Sequence, residues 1–167
     1  MTLILGLDPG LRRTGWGVVD CARGTLRFLA CGVVVIHEQG STADRLARLY
    51  DGLLEVGRRF RPDEAAVEET VLNRNAGSSL RLGHARGVVL LAAAHLGVPV
   101  AEYAAKRVKR AVTGTGGATK EQVAAMVRVL LPNSGTPPAD ATDALAIAIC
   151  HAHERETLRR IGVAARP

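Results

Sequence analysis

Four carboxylates stand out by type and position: Asp8, Glu68, Asp140 and Asp143. Asp8 closes Leu3-Ile4-Leu5-Gly6-Leu7, an uncharged apolar run, and Glu68 closes the shorter run Ala65-Ala66-Val67. Such runs read as strands buried on both faces. An acid ending one is costly to hold as an anion unless a cation compensates it. Asp140 and Asp143 lie three apart at the start of a helical pattern, so they share one face. Three of the four also have an ordinary explanation. Asp8 could simply open the Pro9-Gly10 turn, Asp140 could cap its helix, and Asp143 could sit in the first turn where the helix dipole favours it. Thr142 or Ser134 could have capped that helix at lower cost. If the fold brings the four together, unit charges 4 Å apart repel by about 4 kcal/mol at an effective dielectric near 20. Protons or metal ions must then offset them. With no His or Cys nearby, hard oxygen ligands select magnesium or manganese. A carboxylate-held metal pair beside basic surface is suited to phosphodiester cleavage.

The elements that must position these acids follow from periodicity and punctuation. After the opening strand, Thr14 to Val19 and Leu26 to Ile36 read as two more strands joined by short turns, an antiparallel meander. Ser41-Thr42 offers an N-cap for a helix carrying Leu46, Leu49, Leu53 and Phe60, closed by Pro62. A short strand ends at Glu68. A long helix from Asn75 to Leu96 stops at Gly97 and Pro99, and Val98 to Ala101 reads as a fifth strand. Helical segments follow at Arg107 to Val112, Lys120 to Leu131 and Ala139 to His153, with loops at Gly114 to Gly117 and Asn133 to Pro138. The expected fold is α/β: a five-stranded mixed sheet, three antiparallel strands then two parallel ones reached through crossover helices, flanked by helices. Residues 1–153 are expected to form a single domain, with 154–167 a frayed basic tail.

Composition narrows the class. A chain of 167 residues can bury a full core as one domain. No apolar run reaches transmembrane length and no secretion signal is evident, so a cytoplasmic protein without a membrane partner is expected. Cys21, Cys31 and Cys150 are odd in number and lack metal-ligand spacing, consistent with reduced thiols. The 22 Lys and Arg against 16 Asp and Glu leave a formal charge of +6, which suits a polyanionic partner.

Ordered segments then carry a resemblance: Leu5-Gly6-Leu7-Asp8-Pro9-Gly10 with Thr14-Gly15; Ala66-Val67-Glu68; Asn75-Ala76; Leu82-Gly83-His84-Ala85-Arg86-Gly87; Glu102-Tyr103-Ala104-Ala105; Val108-Lys109; Gly114-Thr115-Gly116 with Lys120; and Ala139-Asp140-Ala141-Thr142-Asp143-Ala144-Leu145-Ala146. Over nearly its whole length the sequence resembles the RuvC family of Holliday-junction resolvases. The resemblance implies a ribonuclease H-like fold and a homodimer. It implies a magnesium-dependent endodeoxyribonuclease, with manganese able to substitute and two ions per subunit, that nicks two strands of a four-way DNA junction symmetrically and leaves 5′-phosphate ends. It places the metal-binding acids on Asp8, Glu68, Asp140 and Asp143, and two lysines near the scissile strand on Lys109 and Lys120. A branch-migration motor complex is a further implied partner. Arg12, Arg13, Arg74, Arg81 and Arg86 are phosphate-contact candidates, with Val71, Leu72 and Asn75 beside them.

One departure matters. Many members carry a Phe where this chain has Val71; an aliphatic wedge can part a base step but lacks a π-face. Glu69 is a further acid, expected to face away from Glu68 because strand neighbours alternate. His84, flanked by Arg81 and Arg86, is a possible DNA contact, whereas His151 and His153 are expected at the surface or in tail contacts. Three other functions compete. The Gly-Leu-Asp-Pro-Gly and Thr-Gly-Trp-Gly pair also resembles the phosphate-binding hairpin of actin-like ATP-binding proteins, which need two such subdomains. An RNA-processing nuclease of the same fold, and a binding-only protein with vestigial acids, are the others. All four acids and both lysines are present, which argues against a dead site.

Overall fold

The computed structural model describes residues 1–37, 39–69 and 76–162. Five strands, β1 (Thr2–Asp8), β2 (Arg13–Ala22), β3 (Thr25–Val35), β4 (Glu64–Glu68) and β5 (Val100–Tyr103), form one sheet in the order β3-β2-β1-β4-β5. β1 pairs antiparallel with β2 and β2 with β3, while β4 runs parallel to β1 and β5 parallel to β4. The expected mixed sheet is therefore present, with the two crossover-fed strands as its parallel half. β1 lies at the centre, which explains its apolar run. Ile4 packs into the core on one face, and Leu5 and Leu7 into the core on the other.

Helices cover both faces. α1 (Thr42–Phe60) and α2 (Ala76–His95) lie over one, where Leu49, Leu53, Val89 and Ala92 meet Leu5, Leu7 and Val67. α3 (Ala105–Thr113), α4 (Lys120–Leu130) and α5 (Ala139–Arg160) belong to the other, where Val108, Val127, Leu145 and Ile149 meet Ile4, Val19 and Ala66. Ser41 and Asp44 form a capping box at the start of α1, and Thr119 with Gln122 another at the start of α4. Among the described residues no helix is long and apolar enough to cross a membrane.

The boundaries differ from the sequence reading in informative places. β5 begins at Val100 rather than Val98, because the Val98 N–H bonds the Ala93 carbonyl and closes α2 through Gly97, whose φ is +69°. α3 starts at Ala105, two residues early. α5 continues to Arg160, beyond His153, its last turns carrying Arg159 and Arg160 paired with Glu156. Asn75, the expected start of α2, lies outside the described residues, as do Val71, Leu72 and Arg74.

Two glycines set how closely α5 approaches the sheet. A Cβ on Gly6 of β1 would collide with the Ala144 carbonyl and with Ala148, and a Cβ on Gly15 of β2 with the Asp140 carbonyl. Bare backbone at both points lets the first two turns of α5 lie directly on β1 and β2, beside the end of β1.

Candidate active site

Asp8 and Glu68 end adjacent parallel strands. The last paired residues, Leu7 and Val67, precede them by one position. Alternation puts Asp8 on the face of Ile4, and Glu68 on the face of Ala66, the side covered by α5. Asp143 reaches the same place from the second turn of α5. Asp8, Glu68 and Asp143 line one cleft of about 320 Å³ with Lys109 of α3 and Lys120 of α4. Val108, Val123 and Ala146 form its apolar wall.

Charge is balanced unevenly in this cleft. The Asp8 carboxyl is pushed up to about 7, first by burial and then by Asp143, Glu68 and Asp140, with Lys120 opposing. Burial, then Asp143, also raises Glu68. Lys120 donates from Nζ to Asp143 Oδ2 at 3.3 Å, and the Asp143 charge holds its ammonium above the usual lysine value. The residues fit a divalent metal: an all-oxygen donor set lies in a half-buried cleft where burial, and after it mutual repulsion, disfavours ionisation of Asp8 and Glu68. Among the described residues no group of three acids is yet drawn close enough to ligate one ion.

The fourth acid is turned elsewhere. Asp140, in the first turn of α5, does not cap it: Pro138 holds the N-cap position and no side chain caps the helix. Asp140 Oδ2 instead accepts from Arg13 Nε at 2.6 Å. Arg13, Arg12 and Arg81 line a second cleft together with Arg45 of α1, which sequence reasoning did not single out. Nothing local marks Arg45, because it joins Gly10 to Arg13 in this cleft only through the tertiary fold.

Other expected contacts are placed as follows. Arg86 is turned inward, its side chain only 15% exposed, donating to the Glu68 carbonyl at 2.8 Å and pairing with Glu102. His84 is exposed, as is Glu69, whose N–H bonds the Tyr103 carbonyl. The surface placement expected of His151 is wrong. It is buried, with Nδ1 2.7 Å from the Tyr103 hydroxyl and Nε2 2.7 Å from Glu64, and burial lowers its pKa. His153 meets the Ala111 carbonyl. The reason is the depth of α5, whose residues 144–152 are all buried.

Sheet order, helix placement and strand-end acids together define a nuclease of the ribonuclease H-like class. A family model described as crossover junction endodeoxyribonuclease RuvC matches residues 4–151, and the chain belongs to that family. A crossover junction endodeoxyribonuclease RuvC from Paramagnetospirillum magneticum is 56% identical over 158 residues, covering 95% of each chain. The structure of T. thermophilus RuvC in complex with Holliday junction substrate superposes with a TM-score of 0.87 at 40% identity, covering 94% of this chain and 96% of that one. The yeast mitochondrial Holliday junction resolvase, at 12% identity and a TM-score of 0.68 over 94% of this chain and 82% of its own, shares the fold.

Proposed function

We propose that this chain is a magnesium-dependent endodeoxyribonuclease that resolves four-way DNA junctions by paired symmetric nicks, leaving 5′-phosphate ends. The observation that carries the reading is the convergence of Asp8, Glu68 and Asp143 with Lys109 and Lys120 in one cleft, in a member of this family. Asp8, Glu68, Asp140 and Asp143 would hold two metal ions, with manganese able to substitute for magnesium. When bound, the ions supply an activated water and offset charge on the phosphate and the leaving 3′ oxygen. The acids set the position of that charge, Asp8 and Glu68 by closing two adjacent strands and Asp140 and Asp143 from the first two turns of α5. Lys120 and Lys109, on separate helices, hold the scissile phosphate between them and orient it for in-line attack. The nuclease unit is read as residues 1–153, acting in the cytoplasm, with a branch-migration motor as a further partner.

The functional unit is read as a homodimer. Ala85, Val89, Ala92 and Ala93 of α2 face the sheet, whereas Leu80 is 62% and Leu91 59% exposed on the other side. Between them Gly83 and Gly87 meet none of the described residues within 4 Å of an added Cβ. A two-fold copy would cover this apolar stripe, and two sites would meet two strands of like polarity. The deciding experiment compares cleavage of a four-way DNA junction, linear duplex and structured RNA, with and without magnesium. Junction-selective paired nicking is expected only with metal; equal cutting of RNA would favour an RNA-processing nuclease.

A further inference from the structure

Arg13 stands between two sites. On one side its Nε holds Asp140 Oδ2 at 2.6 Å, while the other three acids line the lysine cleft without Asp140. On the other it lines a cleft of about 670 Å³ with Arg12, Arg45 and Arg81, and among the described residues none that lines it is acidic. Arg45 Nε is buried there with no hydrogen-bond partner among the described residues. Guanidinium groups gathered in this way repel one another and match the paired oxygens of a phosphodiester.

We propose that Arg13 is a latch that couples binding of a DNA backbone phosphate in the arginine cleft to completion of the metal site by Asp140. The inference rests on the reading of the four acids as metal ligands. A single carboxylate oxygen cannot fully serve a guanidinium and a divalent cation at once, and the Arg13 charge repels a cation placed beside it. A phosphate in the arginine cleft gives Arg13 a competing acceptor with two oxygens. Asp140 is then free to turn toward Asp143, its neighbour one helical turn along α5. A side-chain rotation suffices, because the α5 backbone is already seated on Gly6 and Gly15. Linkage requires the reverse effect as well: metal binding strengthens the phosphate contact by the same factor. Arg13 acts through Asp140 and is a positioning residue.

The test reads metal binding rather than cutting. Free Mn²⁺ is followed by electron paramagnetic resonance as it is titrated into the full chain without DNA. R13Q should bind Mn²⁺ roughly three- to fivefold tighter than the parent, the range of one partly exposed ion pair. R13Q/D140N should bind it no tighter than D140N, since the gain passes through Asp140. In an E68Q background, which keeps a junction uncut, added four-way junction should tighten Mn²⁺ binding less when R13Q is also present. Unchanged or weaker Mn²⁺ binding by R13Q, or an equal gain from junction with and without R13Q, overturns the latch while the metal-site reading stands. A parent chain that binds no Mn²⁺ overturns both.

Discussion

Arg86 Nη1 donates to the main-chain carbonyl of Glu68 at 2.8 Å, joining the middle of α2 to the end of the strand that presents the acid. The same guanidinium pairs with Glu102 on β5, so one side chain ties α2 to both parallel strands. Arg86→Met keeps the apolar stem but leaves the Glu68 carbonyl without its donor. Loss of such a buried partner costs about 1–3 kcal/mol. The expected outcome is an unfolding free energy from urea titration lower by that amount and nicking slowed about tenfold through a displaced Glu68. An unchanged nicking rate at reduced stability would show that Arg86 is only structural.

Gly15 makes a sharper case. A Cβ there meets the Asp140 carbonyl, which is backbone and cannot step aside. Gly15→Ala should push the first turn of α5 outward, moving Asp140 and Asp143 together. Overpacking of this kind costs about 1–3 kcal/mol, and nicking should fall at least about a hundredfold. Gly83→Ala is the control for folding, because its added Cβ meets none of the described residues. It should raise the thermal midpoint of the dilute subunit slightly, since Ala is favoured over Gly inside a helix.

How much of this was legible beforehand depended on range. The strand-end acids could be read because a buried strand announces itself by composition, and its terminating charge is then conspicuous. The strand orientations followed from which connections were too short for a crossover, whereas the order of the strands did not. Arg86 could be read from the sequence only as a phosphate-contact candidate, because a helix pattern does not show which charged residue faces a strand end. The Arg13–Asp140 pair joins residues 127 apart in sequence, and no local signal records it. His151 illustrates the same limit: its partners Tyr103 and Glu64 lie on two different strands.

Asp8 gives a pH signature with a defined sign. Its carboxyl rises from 3.8 to about 7 on folding, so the ionised form is the one the fold disfavours. Below its unfolded pKa the group is protonated in both states and exerts no penalty. As pH rises from about 4 to about 7 the unfolded chain ionises first, and the folded state loses stability. In the presence of a chelator the thermal midpoint should fall across that window. Asp8→Asn should flatten the fall and be more stable than the parent by roughly 1–3 kcal/mol at pH 8. Added magnesium should restore the parent but not the variant. A parent midpoint that rises over the same window contradicts this assignment.

Lys120 is held at the first position of α4 by the Thr119 capping box and is 79% exposed while touching Asp143. An exposed pair adds little stability, so Lys120→Gln should melt within about 0.5 kcal/mol of the parent. If the lysine serves the scissile phosphate, nicking should fall about 10²-fold with junction affinity nearly unchanged. A loss confined to affinity would make it a general phosphate contact.

The dimer can be tested through division of labour between its sites. Leu80, Gly83, Gly87 and Leu91 recur at helical spacing on the open face of α2, and the bare glycines allow a second backbone to approach closely. In the proposed dimer each subunit would bring its own Asp8, Glu68 and Asp143 to its own cleft. A mixed dimer of one parent and one Glu68→Gln subunit should therefore retain one working site. It should bind the junction as tightly as the parent, nick one strand and leave the junction unresolved, as read by native and denaturing gels of the same reaction. Leu80→Glu with Leu91→Glu should place like charges across the two-fold axis and shift the protein to monomer by light scattering. Paired nicking would then give way to single nicks. Full resolution by the mixed dimer, or by the charged monomer, would overturn the symmetric two-site arrangement.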